Sequence, residues 1–383
     1  MLLIKGGEIH DGIRQEGYIA DILIEDGKIS EIGMDIKAEG AETVDAKGLL
    51  VYPGFVDAHS HLGMDGYGIG YEGADYNEMN DIISPQLRGL DGFKPMQPSL
   101  LQATLAGVTT VNTGPGSANV LGGTFVAVKT LGRRVEDMLV KRETAMKCAF
   151  GENPKRVYRE KSDSSRMTTA SKLRDMLFKA REYDTKLAAA KDDPSKLPAF
   201  DIKLEALLPV IRGEMALKAH AHATEDIFTA LRIAREFQVK ITLEHVTEGH
   251  LIWEELAREN VPLAIGPSLT NASKYELRNK TFETPGILAR AGCQVSIITD
   301  APVIPQEYLT LCASLAVKSG MDPFQALQAI TINPARHAGI EDRVGSLEVG
   351  KDADIVLMDG DALDMNANVV SVYVLGKQVT QTA

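Results

Sequence analysis

The sequence predicts a closed (β/α)8 barrel with a small β-rich domain built from both chain ends. Three observations carry that expectation. The chain has 383 residues, room for an α/β barrel of about 250 residues plus an accessory domain. Short apolar strand patterns alternate with helical patterns through the middle, the signature of parallel βα units. The two ends are instead strand-rich and separated by turn residues.

The amino-terminal segment begins with Leu2-Leu3-Ile4, and strand patterns recur at 19–24 and 28–32, the last two divided by Glu25-Asp26-Gly27. At the other end, 354–358 and 369–374 read as strands, followed by the turn Leu375-Gly376-Lys377. Pairing of these ends predicts one domain from 1–52 with 343–383 and a second from 53–342. Within the second, eight strand candidates lie at 55–61, 109–113, 124–130, 145–150, 217–220, 240–245, 262–266 and 295–300. Helical patterns occupy 98–106, 225–237, 251–259, 285–291 and 323–331. Two stretches break the rhythm. Residues 63–97 read as a long loop, and 153–198 carry a basic segment, a helix near 169–191 and the turn Asp192-Asp193-Pro194-Ser195. Long loops at a barrel's working end are usually functional or disordered.

Composition narrows the classes. With 44% apolar and 25% charged residues the chain reads as a soluble globular protein. Its net charge of −12 argues against a nucleic-acid or anionic-membrane partner, both of which attract basic surfaces. The three cysteines, Cys148, Cys293 and Cys312, are widely spaced with no CxxC pair, which predicts a reducing, cytoplasmic setting without disulfides. The opening Met-Leu-Leu-Ile-Lys-Gly-Gly-Glu lacks the apolar run of a signal peptide, and no stretch is long enough to span a membrane. A small-molecule substrate is the partner this leaves, with homo-oligomerisation open.

The histidines are concentrated where a barrel would do its chemistry. Six of the eight fall at or just after strand ends: His59, His61, His220, His222, His245 and His250. His10 and His337 do not. His59 and His61, two apart on a strand, point to one face and can grip one ion. Asp300 closes the last strand candidate. Each histidine alone could be structural. Together, imidazole nitrogens and a carboxylate suit a divalent metal, Zn²⁺ foremost, with Fe, Mn or Co also compatible. Such an ion lowers the pKa of a water from 15.7 to roughly 7, and Asp300 could orient that water and carry its proton to a leaving amine.

These residues resemble the amidohydrolase superfamily, and within it the branch of imidazolonepropionase and metal-dependent dipeptidases. The resemblance rests on Pro53-Gly54-Phe55-Val56-Asp57-Ala58-His59-Ser60-His61, Leu217-Lys218-Ala219-His220-Ala221-His222, Leu243-Glu244-His245 and Thr299-Asp300. It continues in Ala329-Ile330-Thr331-Ile332-Asn333-Pro334-Ala335 and 345–354, and so spans nearly the whole chain. It implies a (β/α)8 TIM barrel with a urease-like β-sandwich from both termini. It also implies metal ligation by His59, His61, His220, His245 and Asp300, with Asp300 and His245 catalytic. His222 is expected to contact substrate or support the ligands.

Members of the superfamily with two metals often bridge them through a carboxylated lysine or a glutamate on strand three or four. Here Lys147 shares the inward face with Ala149, opposite Met146, Cys148 and Phe150. An unmodified lysine inside a barrel is costly, so Lys147 is one candidate bridge. Glu152 at the strand mouth is another, and a mononuclear site using neither is the third. Gly114-Pro115-Gly116-Ser117 reads as a turn or as a loop that lets backbone approach a ligand. Lys155, Arg156 and Arg278 are candidate anchors for a substrate carboxylate, and Tyr67, Tyr71 and Tyr76 candidate lid residues. The expected reaction is hydrolysis of a C–N bond in a cyclic amide, an N-acyl amino acid or a dipeptide. The alternatives are a deaminase, against which stands Ala223 where superfamily deaminases commonly carry glutamate, and a non-catalytic barrel, against which stands the complete ligand set.

Overall fold

A computed structural model describes residues 1–159, 164–191 and 193–380. Asp192, and residues 381–383 of the carboxy-terminal β-segment, lie outside the described residues. Five strands open the chain: β1 (Leu2–Ile9), β2 (Tyr18–Glu25), β3 (Lys28–Gly33), β4 (Glu42–Asp45) and β5 (Leu50–Pro53). The central body holds β6 (Phe55–Ser60), β7 (Val108–Thr113), β8 (Leu121–Thr124), β9 (Val126–Lys129), β10 (Leu139–Lys141), β11 (Ala145–Ala149), β12 (Ala216–Ala221), β13 (Ile241–His245), β14 (Leu263–Ile265) and β15 (Val295–Ile297). The chain ends on β16 (Ile355–Met358), β17 (Val369–Val374) and β18 (Lys377–Gln378).

The terminal strands form one eight-stranded sheet, ordered β18-β17-β16-β5-β1-β2-β3, with β4 paired to β1. Its face is apolar by the two-residue period of a strand: Leu2, Ile4, Ile22, Ile24, Ile355 and Leu357 are buried together. Asp26 and Gly27, both at positive φ (47° and 77°), make the tight β2–β3 turn, a backbone shape that matches strand twist and favours Asp-Gly.

In the central body, β6 pairs parallel with β7, and β11 through β15 pair parallel in chain order. The third strand position departs from the sequence expectation of eight parallel strands. The run β8–Phe125–β9 lies antiparallel to both neighbours, β9 against β7 and β8 against β11. The cause is the short link. A parallel crossover needs a dozen or more residues, whereas 114–120 give the chain only seven in which to turn back. That short link lies at the mouth where β6 and β7 end.

Between β15 and β6 no strand ladder is formed among the described residues. Buried Asp57 ties the two together, accepting hydrogen bonds from the Thr299 N–H (3.0 Å), the Thr299 hydroxyl (2.7 Å) and Gln306 (2.7 Å). The His61 N–H donates to the Ala301 carbonyl (2.8 Å).

Helices cover the strands as their periodicity predicts. Thr224–Phe237 buries Ile227, Ala230, Leu231, Ala234 and Phe237 on one stripe, with Glu225 and Asp226 in its first turn. Arg166–Ala190, longer than the sequence pattern indicated, starts at a capping box of Ser165 and Thr168. No described helix is long and apolar enough to cross a membrane.

Candidate metal centre

The mouth residues are aimed by the strand ends. His59 and His61 leave β6 on one face, Lys218 and His220 share a face of β12, and Lys147 rises from β11. At two strand ends the backbone enters the left-handed region that L-residues avoid: His245 (φ 73°) with Val246 (φ 45°), and Asp300 (φ 53°). Such strain concentrates at functional sites. Here it brings His245 inward directly after the inward-facing Glu244, against strand alternation.

Each imidazole is held by one nitrogen and offers the other. His59 Nδ1 meets Glu244 Oε2 (3.0 Å), His61 Nδ1 the Gly114 carbonyl (2.7 Å), His220 Nδ1 the Ser117 hydroxyl (2.8 Å) and His245 Nδ1 the Gly266 carbonyl (2.7 Å). This arrangement fixes orientation and tautomer in metal-ligating histidines. The other sides converge. His59 Nε2 and His61 Nε2 lie 3.5 Å and 3.2 Å from Asp300 Oδ1. His220 Nε2, His245 Nε2 and Asp300 Oδ1 are buried without a hydrogen-bond partner. Buried polar atoms are rarely left so, and His/Asp groups of this kind are able to hold a metal ion. His59, His245 and Asp300 form one group whose donor atoms lie within 4.8 Å of one another, and His220, His222 and His245 form a second.

Electrostatics prepare these groups to act as ligands. Burial holds His59, His220 and His245 well below the usual histidine pKa, and His222 at about 4, so the rings are neutral with a lone pair to give. Burial lowers Lys147 to about 8, which leaves part of its amine unprotonated near neutral pH. Its Nζ lies 3.2 Å from His59 Nε2.

Not every expected residue arrives. Among the described residues Glu152 reaches the site only through its backbone N–H, which donates to Glu276 Oε2 (2.8 Å), while its carboxylate makes no hydrogen bond or ion pair with them. Arg156 is exposed and contacts Asn153. Arg278 pairs with Glu248 (3.0 Å). His250 turns away to Thr284 (3.0 Å). Of the loop tyrosines, Tyr76 stacks on His61 (centroids 5.1 Å apart), while Tyr71 is exposed.

Several contributors escaped the sequence reading. His337, set apart by its distance from any strand end, bonds Glu244 Oε1 (2.8 Å). Lys218, fully buried, bonds Glu244 Oε2 (2.8 Å). Lys218 and His337 outweigh the burial that would raise the Glu244 carboxyl and hold it well below its usual range. The signal for Lys218 was present: it lies two residues before His220 and so faces inward with it. Ser117 and Gly114 belong to the stretch read as a turn, and it is their side chain and carbonyl, not N–H groups, that serve the site. Glu276, from the loop after β14, is buried with Oε1 unpartnered and had no sequence signal.

Strand-end imidazoles, an inward carboxylate and a βα body define the class. The amidohydrolase family matches residues 50–379, and the chain belongs to it. It is a hydrolase acting on carbon–nitrogen bonds. A solved amidohydrolase from Thermotoga maritima MSB8 is 39% identical, with a TM-score of 0.96 over 99% of this chain and 100% of that one. Amidohydrolase tasK of Hapsidospora irregularis is 29% identical over 95% of this chain, which spans 40% of that protein's length. A dihydroorotase of Acetivibrio thermocellus is 24% identical over 94% of this chain and 89% of its own. An adenine deaminase of Bacillus pumilus is 24% identical over 99% of this chain and 58% of its own.

Proposed function

We propose that the chain is a metal-dependent hydrolase of a cyclic amide, or of an N-acyl or dipeptide-like amide, with Zn²⁺ as its natural ion. One observation carries the reading: side-chain donor atoms of His59, His61, His220, His245 and Asp300 lie at the strand mouths, three of them buried and unpartnered, those of His220, His245 and Asp300. The similarity to a dihydroorotase, an enzyme named for a cyclic substrate, supports the cyclic-amide arm. Eight strand positions support a closed (β/α)8 barrel with Asp57 at its seam, and the shared terminal sheet supports a urease-like β-sandwich of 1–52 with 343–383 beside 53–342.

His59, His61, His220, His245 and Asp300 would hold the ion or ions, with Lys147, as its carbamate, between them. When bound, a divalent ion polarises a carbonyl and lowers the pKa of water. The chain's residues do the rest. Glu244 holds His59, and Gly114, Ser117 and Gly266 hold the other rings, so the donors are positioned before substrate arrives. Asp300 Oδ1 accepts a proton from the attacking water as its oxygen bonds to the amide carbon. The same proton passes to the leaving nitrogen as the C–N bond breaks. Arg156, exposed and in contact only with Asn153 among the described residues, would have to swing to the mouth to anchor a substrate carboxylate.

The deaminase reading has one observation in its favour, the adenine deaminase relative. Against it, Ala223, three residues after His220, offers no carboxylate. The test is a screen of Zn²⁺-loaded protein against cyclic ureides, lactams, N-acyl amino acids, dipeptides and aminated heterocycles. Chelator-sensitive cleavage of an amide is expected. Ammonia release from the heterocycles alone would replace this reading with deamination.

A further inference from the structure

We infer that a cavity at the strand starts, away from the histidine cluster, binds a small organic acid bearing a hydroxyl group, and that its occupancy is felt at His59. The cavity stands on its own observations. Only its coupling to His59 rests on the metal-dependent reading above.

The cavity has a volume of about 660 Å³. Ala216 and Ile241, the first residues of β12 and β13, line it, whereas His220 and His245 stand near the far ends of those strands. Its lining has two characters. Leu231, Val239 and Ile241 offer an apolar wall. Lys141, Lys240 and Arg336 are exposed and make no salt bridge among the described residues. Arg235 is neutralised by Glu259, which leaves Glu214 as the one other carboxylate in the lining. The balance is a surplus of two positive charges, in a chain whose net charge is −12. Such a local surplus attracts an anion, and the apolar wall favours an organic one.

His337 connects this cavity to the strand mouths. It lines the cavity, with its side chain 1% exposed. Its Nε2 lies 2.8 Å from Glu244 Oε1, and Glu244 Oε2 lies 3.0 Å from His59 Nδ1. Lys218 Nζ approaches the same Nε2 at 3.2 Å, but it donates to Glu244 Oε2 (2.8 Å) and the Ala58 carbonyl (2.9 Å). An ionised carboxylate only accepts, so the ring hydrogen sits on Nε2 and Nδ1 is left as an acceptor. That Nδ1 is buried without a partner, an uncommon state for a polar atom. A hydroxyl on the bound acid satisfies it, whereas a carboxylate cannot. Donation to Nδ1 polarises the ring and strengthens its Nε2 bond to Glu244. Glu244 then has less charge to share with His59, whose Nε2 becomes the poorer electron donor.

Calorimetric titration of the full, metal-free chain with 3- and 4-hydroxybenzoate tests the site, with benzoate and 4-methylphenol as controls. At least one hydroxybenzoate should bind. Benzoate, which lacks the hydroxyl, should bind about 2- to 10-fold more weakly, and 4-methylphenol, which lacks the charge, should also bind more weakly. Lys240→Gln and Arg336→Gln should each weaken hydroxybenzoate by about threefold or more. Both should keep the wild-type melting temperature and, without the acid, the wild-type Zn²⁺ affinity. Saturating hydroxybenzoate should raise the Zn²⁺ Kd by about fivefold to a plateau, and Zn²⁺ should weaken hydroxybenzoate by the same factor. No binding, or binding indifferent to both variants, overturns the inference. A Zn²⁺ Kd that climbs without a plateau places the acid on the metal donors themselves and overturns it too. A Zn²⁺ Kd unmoved by bound hydroxybenzoate, or equal binding of benzoate, removes the link through His337. A chain that binds hydroxybenzoate as expected but no Zn²⁺ sinks the metal-dependent reading and leaves the cavity site standing.

Discussion

At the scale of single residues, Asp300 and Gly151 show how little freedom the mouth has. Asp300 Oδ1 lies within 3.5 Å of the Nε2 atoms of both His59 and His61, so Asp300→Asn removes a proton acceptor without changing shape. Turnover should fall by about 10²- to 10⁴-fold, with the melting temperature and circular dichroism near wild type. Activity that survives would free Asp300 of proton transfer. Gly151 stands at φ 77°, and a Cβ there would meet Glu276 Oε2 at 2.4 Å and Asp226 Oδ2 at 3.2 Å. Gly151→Ala therefore combines left-handed strain of about 1–2 kcal/mol with displacement of Glu276. The variant should be less stable to denaturant than wild type. Equal stability would show that the Glu276 side chain moves aside at little cost.

At the scale of elements, a buried charge cluster joins β9 to the loop leading into β16. Lys129 Nζ, almost fully buried, contacts Asp354 Oδ2 (2.6 Å) and Asp352 Oδ2 (3.0 Å), and Arg343 also donates to Asp352 (2.7 Å). Burial alone would raise Asp352, but Lys129 and Arg343 outweigh it and hold the carboxyl below its usual value. The sign follows. With a folded-state pKa below the unfolded one, this contact contributes fully above about pH 4 and is lost as the pH falls further. Lys129→Met leaves two buried carboxylates without their common partner, at a cost of about 3–5 kcal/mol. Denaturant melts as a function of pH should show that loss at pH 7, and a flatter acid slope in the variant than in wild type. An unchanged slope would remove Asp352 as its source.

At the scale of the whole molecule, the proposed centre would draw its ligands from β6, β11, β12, β13 and the end of the β15 segment. An ion there would link β6 and the β15 segment, which form no ladder among the described residues and are joined by Asp57 and by the His61–Ala301 hydrogen bond. Binding only to the folded state stabilises it by about 2.7 kcal/mol when free ion stands at 100 times its Kd. Dialysis against a chelator should therefore lower the melting temperature, and Zn²⁺ should restore it. A melting temperature indifferent to metal would mean the donors are held open by protein contacts alone.

The elements and the strand-end histidines could be read directly from the sequence. Hydrophobic period, turn residues and ligand chemistry are local properties, and His59, His61, His220, His245 and Asp300 each stand at the end of a legible strand pattern. The strand boundaries fell close to those observed for the same reason. Direction was harder. Residues 124–130 read as one more parallel strand, because a strand's side-chain pattern does not encode its direction, and only the seven-residue link betrays the reversal. What the tertiary structure alone decided are the partnerships between distant segments. His337 bonds Glu244 across 93 residues of sequence, and Glu276 reaches His220 from a loop with no pattern of its own. Lys147, unlike Glu152, lies within bonding distance of His59. These depend on where loops and strand ends meet in space, which periodicity along the chain does not specify.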